Sequence, residues 1–278
     1  MPALAAAAAD FLLTGWLVLA VLFALLWWRQ TVTRNATAVD AAWSGSIGGM
    51  AAIAALLGSG SGTQRALAAI VAAIWSGRLT AHLVSDRVGT GAPEDGRYRA
   101  LRSWLGRREQ LGFFAVYQLQ AGLALGFAAP FVCMAWDSTQ GITGLQVVGL
   151  GLAAASLALE TIADRQLAAH RRDPTQTGRT CRTGLWRYSR HPNYFFEWLT
   201  WCGFGLVHSA ALGWFAVLTP VAMLLTVRFG SGVPFTEKRA LASRGADYRD
   251  YMRTTNTFFP WPPRPVSRAT APLETPLP

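Results

Sequence analysis

Seven stretches of this chain are almost wholly apolar over close to the ~20 residues a helix needs to cross a ~30 Å hydrocarbon layer. They run approximately from Phe11 to Trp28, Ala38 to Leu57, Ala66 to Val84, Phe113 to Ala135, Gly144 to Thr161, Tyr194 to Val207 and Leu212 to Phe229. Alternation of period two is absent, and a backbone in lipid must satisfy its own hydrogen bonds, so helix is the conformation these stretches dictate. The expected fold is therefore an all-α integral membrane protein of seven transmembrane helices. The sixth and seventh stretches, parted by a few residues around His208 and Ser209, read as a helical hairpin. The first lacks a basic leader and is followed by Arg29, so it reads as a retained helix rather than a signal peptide.

Composition agrees: 52% of the 278 residues are hydrophobic and only 14% charged, which excludes a disordered chain. The 27 glycines show no three-residue period, and no heptads are sustained, which excludes collagen and coiled coil. Cys133, Cys181 and Cys202 are far apart and odd in number, giving neither a disulfide framework nor a metal-binding pair, and no metal site is expected. The net charge of +10 could serve nucleic acid, but its placement points to topology instead. With seven helices, all of the 25 Lys and Arg residues except Arg65 fall on one side of the membrane. The positive-inside rule then sets the N-terminus outside and the C-terminus in the cytoplasm, as for a multi-pass protein of a bacterial inner membrane, with the bilayer as partner and no nucleic acid. Residues 1–253 read as one membrane domain, and 254–278, with PWPPRP and APLETPLP, as a proline-rich tail that is extended or disordered.

Asp40, Glu160, Asp164 and Glu197 lie within or at the ends of the apolar stretches, all near the cytoplasmic end in this layout. Ionisable groups at such depth are expensive and line sites or cavities, so a polar cavity open to the cytoplasm is expected. Glu160 and Asp164, four residues apart, share one helix face, as do Asn193 and Glu197. Between these pairs run Arg171, Arg172, Arg179 and Arg182, followed by GLWRYSRHPNY, which places Pro192 at a helix start and His191 beside it. Arginines around a helix N-terminus suit a ligand with several phosphates, and His191 is either a cap or a phosphate contact. Tyr248, with Tyr251 and Glu237, is a candidate lid over a nucleotide. No glycine-rich dinucleotide fingerprint and no P-loop is present, so any nucleotide rests on another scaffold.

The run GLWRYSRHPNYFFEWLTWCGFGL resembles bacterial membrane proteins grouped with the steroid 5α-reductase C-terminal domain. EDGRYRALR upstream, with SGVPFTEKRA and DYRDYMRTTNTFFPW downstream, extends the resemblance over roughly Asp40 to Pro262. The RHPNY motif is shared in part with sterol reductases and isoprenylcysteine carboxyl methyltransferases. The resemblance implies NADPH held in a cytoplasmic cavity and reduction of a carbon–carbon double bond conjugated to a ketone. The substrate is a lipophilic enone, with a 3-oxo-4-ene steroid as the best single guess. Asp164, Arg171, Asn193, Glu197 and Arg228 match its cofactor positions. Trp75, Arg78, His82 and Asp86 reproduce the spacing of a helix-three series in those enzymes, and Asp40 stands where they carry a Glu facing the substrate ketone. Asp40, Trp75 and His82 are thus the expected catalytic set, a protonated Asp40 donating to the carbonyl as hydride reaches the β-carbon. Arg78, Asp86, Glu160, Asp164, Arg171, Arg179, His191, Asn193, Glu197, Arg228 and Tyr248 are the expected cofactor contacts. The competing expectation is an S-adenosylmethionine-dependent methyltransferase of the isoprenylcysteine type, whose cationic sulfonium suits an arginine-rich pocket poorly.

Overall fold

A computed structural model describes residues 2–87, 93–230 and 232–265, as helix, turn and irregular chain with no strand among them. The apolar stretches become α1 (Pro2–Thr33), α2 (Ala38–Leu57), α3 (Gly62–Arg87), α5 (Glu109–Ala135), α6 (Gly144–Arg172), α7 (Pro192–Leu212) and α8 (Leu218–Phe229). Two further helices are polar on one face, α4 (Gly96–Leu105) and α9 (Val233–Thr254). Residues 266–278 of the proline-rich tail lie outside the described set, as does the side chain of Asp86.

Six helical stretches among the described residues are long and apolar enough to span a bilayer, and the protein is a multi-pass membrane protein. The expectation of seven is thereby corrected. α8 has only 12 residues; at 1.5 Å per residue it rises about 18 Å, short of the hydrocarbon core. The sixth and seventh apolar stretches therefore belong to one candidate span, with the 3-10 turn Gly213–Val217 between α7 and α8.

Contacts gather into two compact units, residues 1–151 with 202–221, and residues 152–201 with 222–278. In the first, α1 packs on α5, α2 on both α3 and α5, and α3 on α5. Small side chains bring α2 and α3 together. A Cβ on Gly48 would meet the Ser76 hydroxyl at 2.5 Å, and that hydroxyl donates to the Ser44 carbonyl at 2.6 Å. Close backbone approach through Gly and Ser is how helices associate where lipid removes the hydrophobic drive. Aromatic edges fill the interior, with Trp43 T-shaped on both Trp75 and Phe127. At one end Gln64 and Gln146 hydrogen-bond each other, fully buried, and Gln146 also donates to the Val207 carbonyl.

The second unit gathers the end of α6, the segment 173–191, the start of α7, the end of α8, and α9. α9 is kinked at Gly245, whose φ of 52° is a conformation glycine adopts without penalty. Beyond the kink Tyr248 and Tyr251 are buried, clustered with Ala240, Leu241 and Met252. Residues 255–265 fold back on the segment before α7: Trp261 N donates to Tyr188 O at 2.9 Å and Arg190 N to Asn256 O at 2.8 Å. Phe258 and Phe259 pack against Phe195 and Trp198, edge-on except for the tilted pair Phe258–Trp198.

Candidate functional site

The segment between α6 and α7 is pinned at several points, and the pins decide which of its arginines are available. Gly184, at φ 57°, lies so close to the Gln166 side chain that a Cβ would collide with it. Gln166 there accepts from Leu185 N at 2.9 Å. Trp186 donates its indole N–H to Ala163 O at 2.9 Å, and the Tyr251 hydroxyl donates to the carbonyls of Trp186 and Ser189. Arg190, 8% exposed, is consumed inside the unit. It donates to Glu237 at 2.7 Å, to Met252 O at 3.2 Å, and to Thr255 O and Thr257 Oγ1, each at 2.7 Å. Arg182 is likewise taken up by Asp247 and Asp250. These two arginines hold the fold.

Between this segment, the end of α6 and α9 lies a cavity of about 550 Å³. Arg171, Arg179 and Arg244 line it, and none of the three forms an ion pair among the described residues. Arg244 lies over the Tyr248 ring, 5.1 Å from its centroid, and is near enough to Arg171 to be repelled by it. Such a concentration of unneutralised cations is unfavourable unless an anion joins it. Thr180, on the same wall, is 7% exposed; its N–H donates to Asp247, while its hydroxyl has no protein partner. Asp173 also lines the cavity, so it is basic without being exclusively so. A second cavity of about 590 Å³ shares His170, Asp173, Arg179 and Thr180 but adds Asp247 and lacks Arg171 and Arg244, which suits an anion less.

Two groups on the wall are kept neutral. Burial pushes the His191 imidazole below the usual histidine value, against the opposing pull of Glu237, whose carboxylate lies 3.3 Å from Nε2. Burial also pushes the Cys181 thiol up, away from the reactive thiolate. The His191 ring stacks parallel to Tyr194.

Of the expected cofactor contacts, Arg171, Arg179, His191 and Tyr248 line this cavity. Glu160, Asp164, Asn193 and Glu197 are not among its lining residues, and one pair of them, Asn193 with Asp164, joins α7 to α6. Asn193 Nδ2 donates to Asp164 at 3.1 Å, and Glu197 accepts from the Trp201 indole at 3.0 Å. Arg228 ends α8 with its guanidinium 5.1 Å from the Phe229 ring centre. Arg244 and Thr180 were not expected. Arg244 had a legible signal, standing four residues before Tyr248 and hence on its helix face; the Thr180 hydroxyl had none.

The remaining expected residues belong to the first unit. Arg78 and His82 are half-buried on α3, and Trp75 is fully buried against Trp43. Asp40 sits where α2 meets α4. Arg97 donates to it at 2.5 Å and the Tyr98 hydroxyl at 2.6 Å, so the carboxylate is an acceptor from two groups. Neither partner was assigned this role from the sequence, because the pairing joins residues 57 and 58 positions apart.

Residues 26–255, well over half of the chain, match one protein family, described as "Protein of unknown function (DUF1295)". No curated protein and no solved structure matches the chain.

Proposed function

The chain belongs to that family, which is related to steroid 5α-reductase-like proteins, and from this premise we propose that it is a membrane-embedded, NADPH-dependent reductase. It reduces the double bond of a lipophilic enone, with a 3-oxo-4-ene steroid as the first substrate to try. The observation that carries the reading is the cavity of the second unit, where Arg171, Arg179 and Arg244 line one space and form no ion pair among the described residues. Its donors fit the cofactor: three guanidiniums and a spare hydroxyl on Thr180 for phosphate oxygens, with Trp186 and Tyr248 as flat apolar surfaces beside them. When bound, NADPH supplies the hydride. The protein's own part is to neutralise the phosphates, to hold His191 uncharged against Glu237, and to keep the wall rigid through Arg190. Asp40, Trp75 and His82, all in the first unit, remain the residues proposed to polarise the ketone, Asp40 while accepting from Arg97 and Tyr98. The distribution of basic residues supports an inner-membrane protein with these basic segments in the cytoplasm.

The test is titration of the detergent-solubilised protein with NADPH, NADH and S-adenosylmethionine. NADPH binds, and Arg171→Ala, Arg179→Ala or Arg244→Ala each weakens it about tenfold or more, as expected for one charge-assisted hydrogen bond. Enone-dependent loss of NADPH absorbance follows. Tighter binding of S-adenosylmethionine would favour a methyltransferase, and NADPH affinity indifferent to all three arginines would end the reductase reading.

A further inference from the structure

In the first unit, α4 and the 3-10 turn Gly106–Arg108 that follows it carry a surface that the proposed chemistry does not use. α4 is amphipathic in an unusual sense, because its inward face is also charged. Arg97 and Tyr98 reach Asp40, while Arg102 pairs with Glu94 at 2.7 Å and with Glu109. The Arg102 guanidinium also lies 4.5 Å from the Phe113 ring centre. Glu109 further takes Arg34 of α1 at 2.6 Å. The carboxylates of this neighbourhood are therefore all engaged from the inside.

The outward face is different. Arg99, Arg107 and Arg108 are exposed and form no ion pair among the described residues. Between them Trp104 is 81% exposed, and Leu111, at the start of α5, is 72% exposed. The end of α1 adds Trp28, 64% exposed; it is tied to the same place because Trp27 donates to Gln110 O at 3.0 Å and Gln30 to the Gln110 side chain at 2.9 Å. Bare indole rings beside unneutralised guanidiniums, on a helix between two spans, match the layer where acyl chains meet headgroups.

We infer that the outward face of α4 and its following turn is a docking surface for anionic phospholipid, with Arg99, Arg107 and Arg108 on the headgroup phosphates and Trp104 at the acyl boundary. The occupant is a lipid rather than free phosphate because the cations come with exposed apolar rings, which a small anion would leave in water. The inference rests on charge complementarity and on nothing in the nucleotide reading.

The purified protein is equilibrated in mixed micelles of phosphatidylglycerol and phosphatidylcholine, and retained lipids are counted by native mass spectrometry. The expected result is a preference for phosphatidylglycerol of about tenfold or more, from roughly one favourable contribution per arginine. R99Q/R107Q/R108Q brings it close to parity, while R172Q/R249Q/R253Q, removing as much exposed charge elsewhere, leaves it intact. Raising sodium chloride to about 1 M, where screening shortens to a few ångströms, also abolishes it in the unmodified protein. Equal retention of both lipids by the unmodified protein, an undiminished preference in the first variant, an equal loss in the second, or indifference to salt overturns the inference.

Discussion

Arg190 donates to acceptors drawn from α9 and from the chain beyond it, and its removal takes the guanidinium from the half-buried Glu237 carboxylate and leaves it the neutral His191 imidazole. Arg190→Ala is therefore expected to cost about 3–5 kcal/mol, the range for breaking one partner out of a buried pair, read as a large fall in thermal midpoint. A loss within about 0.5 kcal/mol, as for an ordinary surface site, would contradict the anchoring role. His191, next in sequence, gives a pH signature. An unfolded histidine protonates near pH 6.5, whereas burial holds the folded His191 lower, with Glu237, Arg190 and Arg228 as the charges acting on it. Below that pH the unfolded chain takes up the proton more readily, so stability is full above about pH 6.5 and declines as the pH falls beneath it. H191Q removes that decline, and identical pH-dependent melting of variant and parent would exclude His191 as its source. His208 makes a third case: fully buried against Phe131 at 4.6 Å, with no protein partner for either ring nitrogen. His208→Leu discards a desolvation penalty of about 1–3 kcal/mol and is expected to leave the melting temperature unchanged or higher; a drop would show that the imidazole is bonded. Residue type alone suggested His191, Arg171 and Arg179 for a polyanion site. It did not separate them from Arg182 and Arg190, since whether a guanidinium is spent on a carboxylate depends on partners 47 to 68 positions away.

Helix existence was legible wherever apolar residues ran on for 20 positions, because composition alone satisfies lipid. Helix ends and pairings were not. The carboxylates Glu160, Asp164 and Glu197 share helix faces as their four-residue spacing requires. Spacing fixes a face but not what that face meets: Asp164 meets Asn193 of the neighbouring helix, Glu197 meets Trp201 one turn on in its own, and none of the three carboxylates lines the cavity. The segment joining α6 to α7 depends on Gly184 for its direction. Gly184→Ala imposes a left-handed conformation on a residue with a Cβ, costing roughly 1–2 kcal/mol. It also drives the new methyl into Gln166, so the loss is expected to exceed that of Gln166→Ala; a thermal melt of both variants ranks them. α4 shows the same limit from the other side. Its sequence reads as a solvated turn and a basic stretch, and only the pairing of Arg97 with Asp40 reveals that the helix is bolted to α2.

For the molecule as a whole, the orientation expected from the basic residues is testable independently of any side-chain contact. Single cysteines placed at Gly178 and in the Ser59–Ser61 turn should label from opposite faces of sealed inside-out vesicles, because only the second lies near the isolated Arg65. Labelling of both from one face would require a different arrangement of spans. The second unit does hold a polar cavity, but Asp40, Glu160, Asp164 and Glu197, from which one was expected, do not line it; its arginines include Arg171 on α6 and Arg244 on α9. The return of residues 255–265 onto Tyr188, Ser189 and Arg190 carries a practical consequence for anyone trimming the gene. The last long helix ends at Thr254, and a stop codon placed there looks harmless on a hydropathy plot. It would delete Thr255, Thr257 and Phe258, the acceptors that Arg190 and Ser189 use. A shortened gene should therefore run through Arg264, whose amide closes on Thr254 O, and purification tags belong beyond that residue.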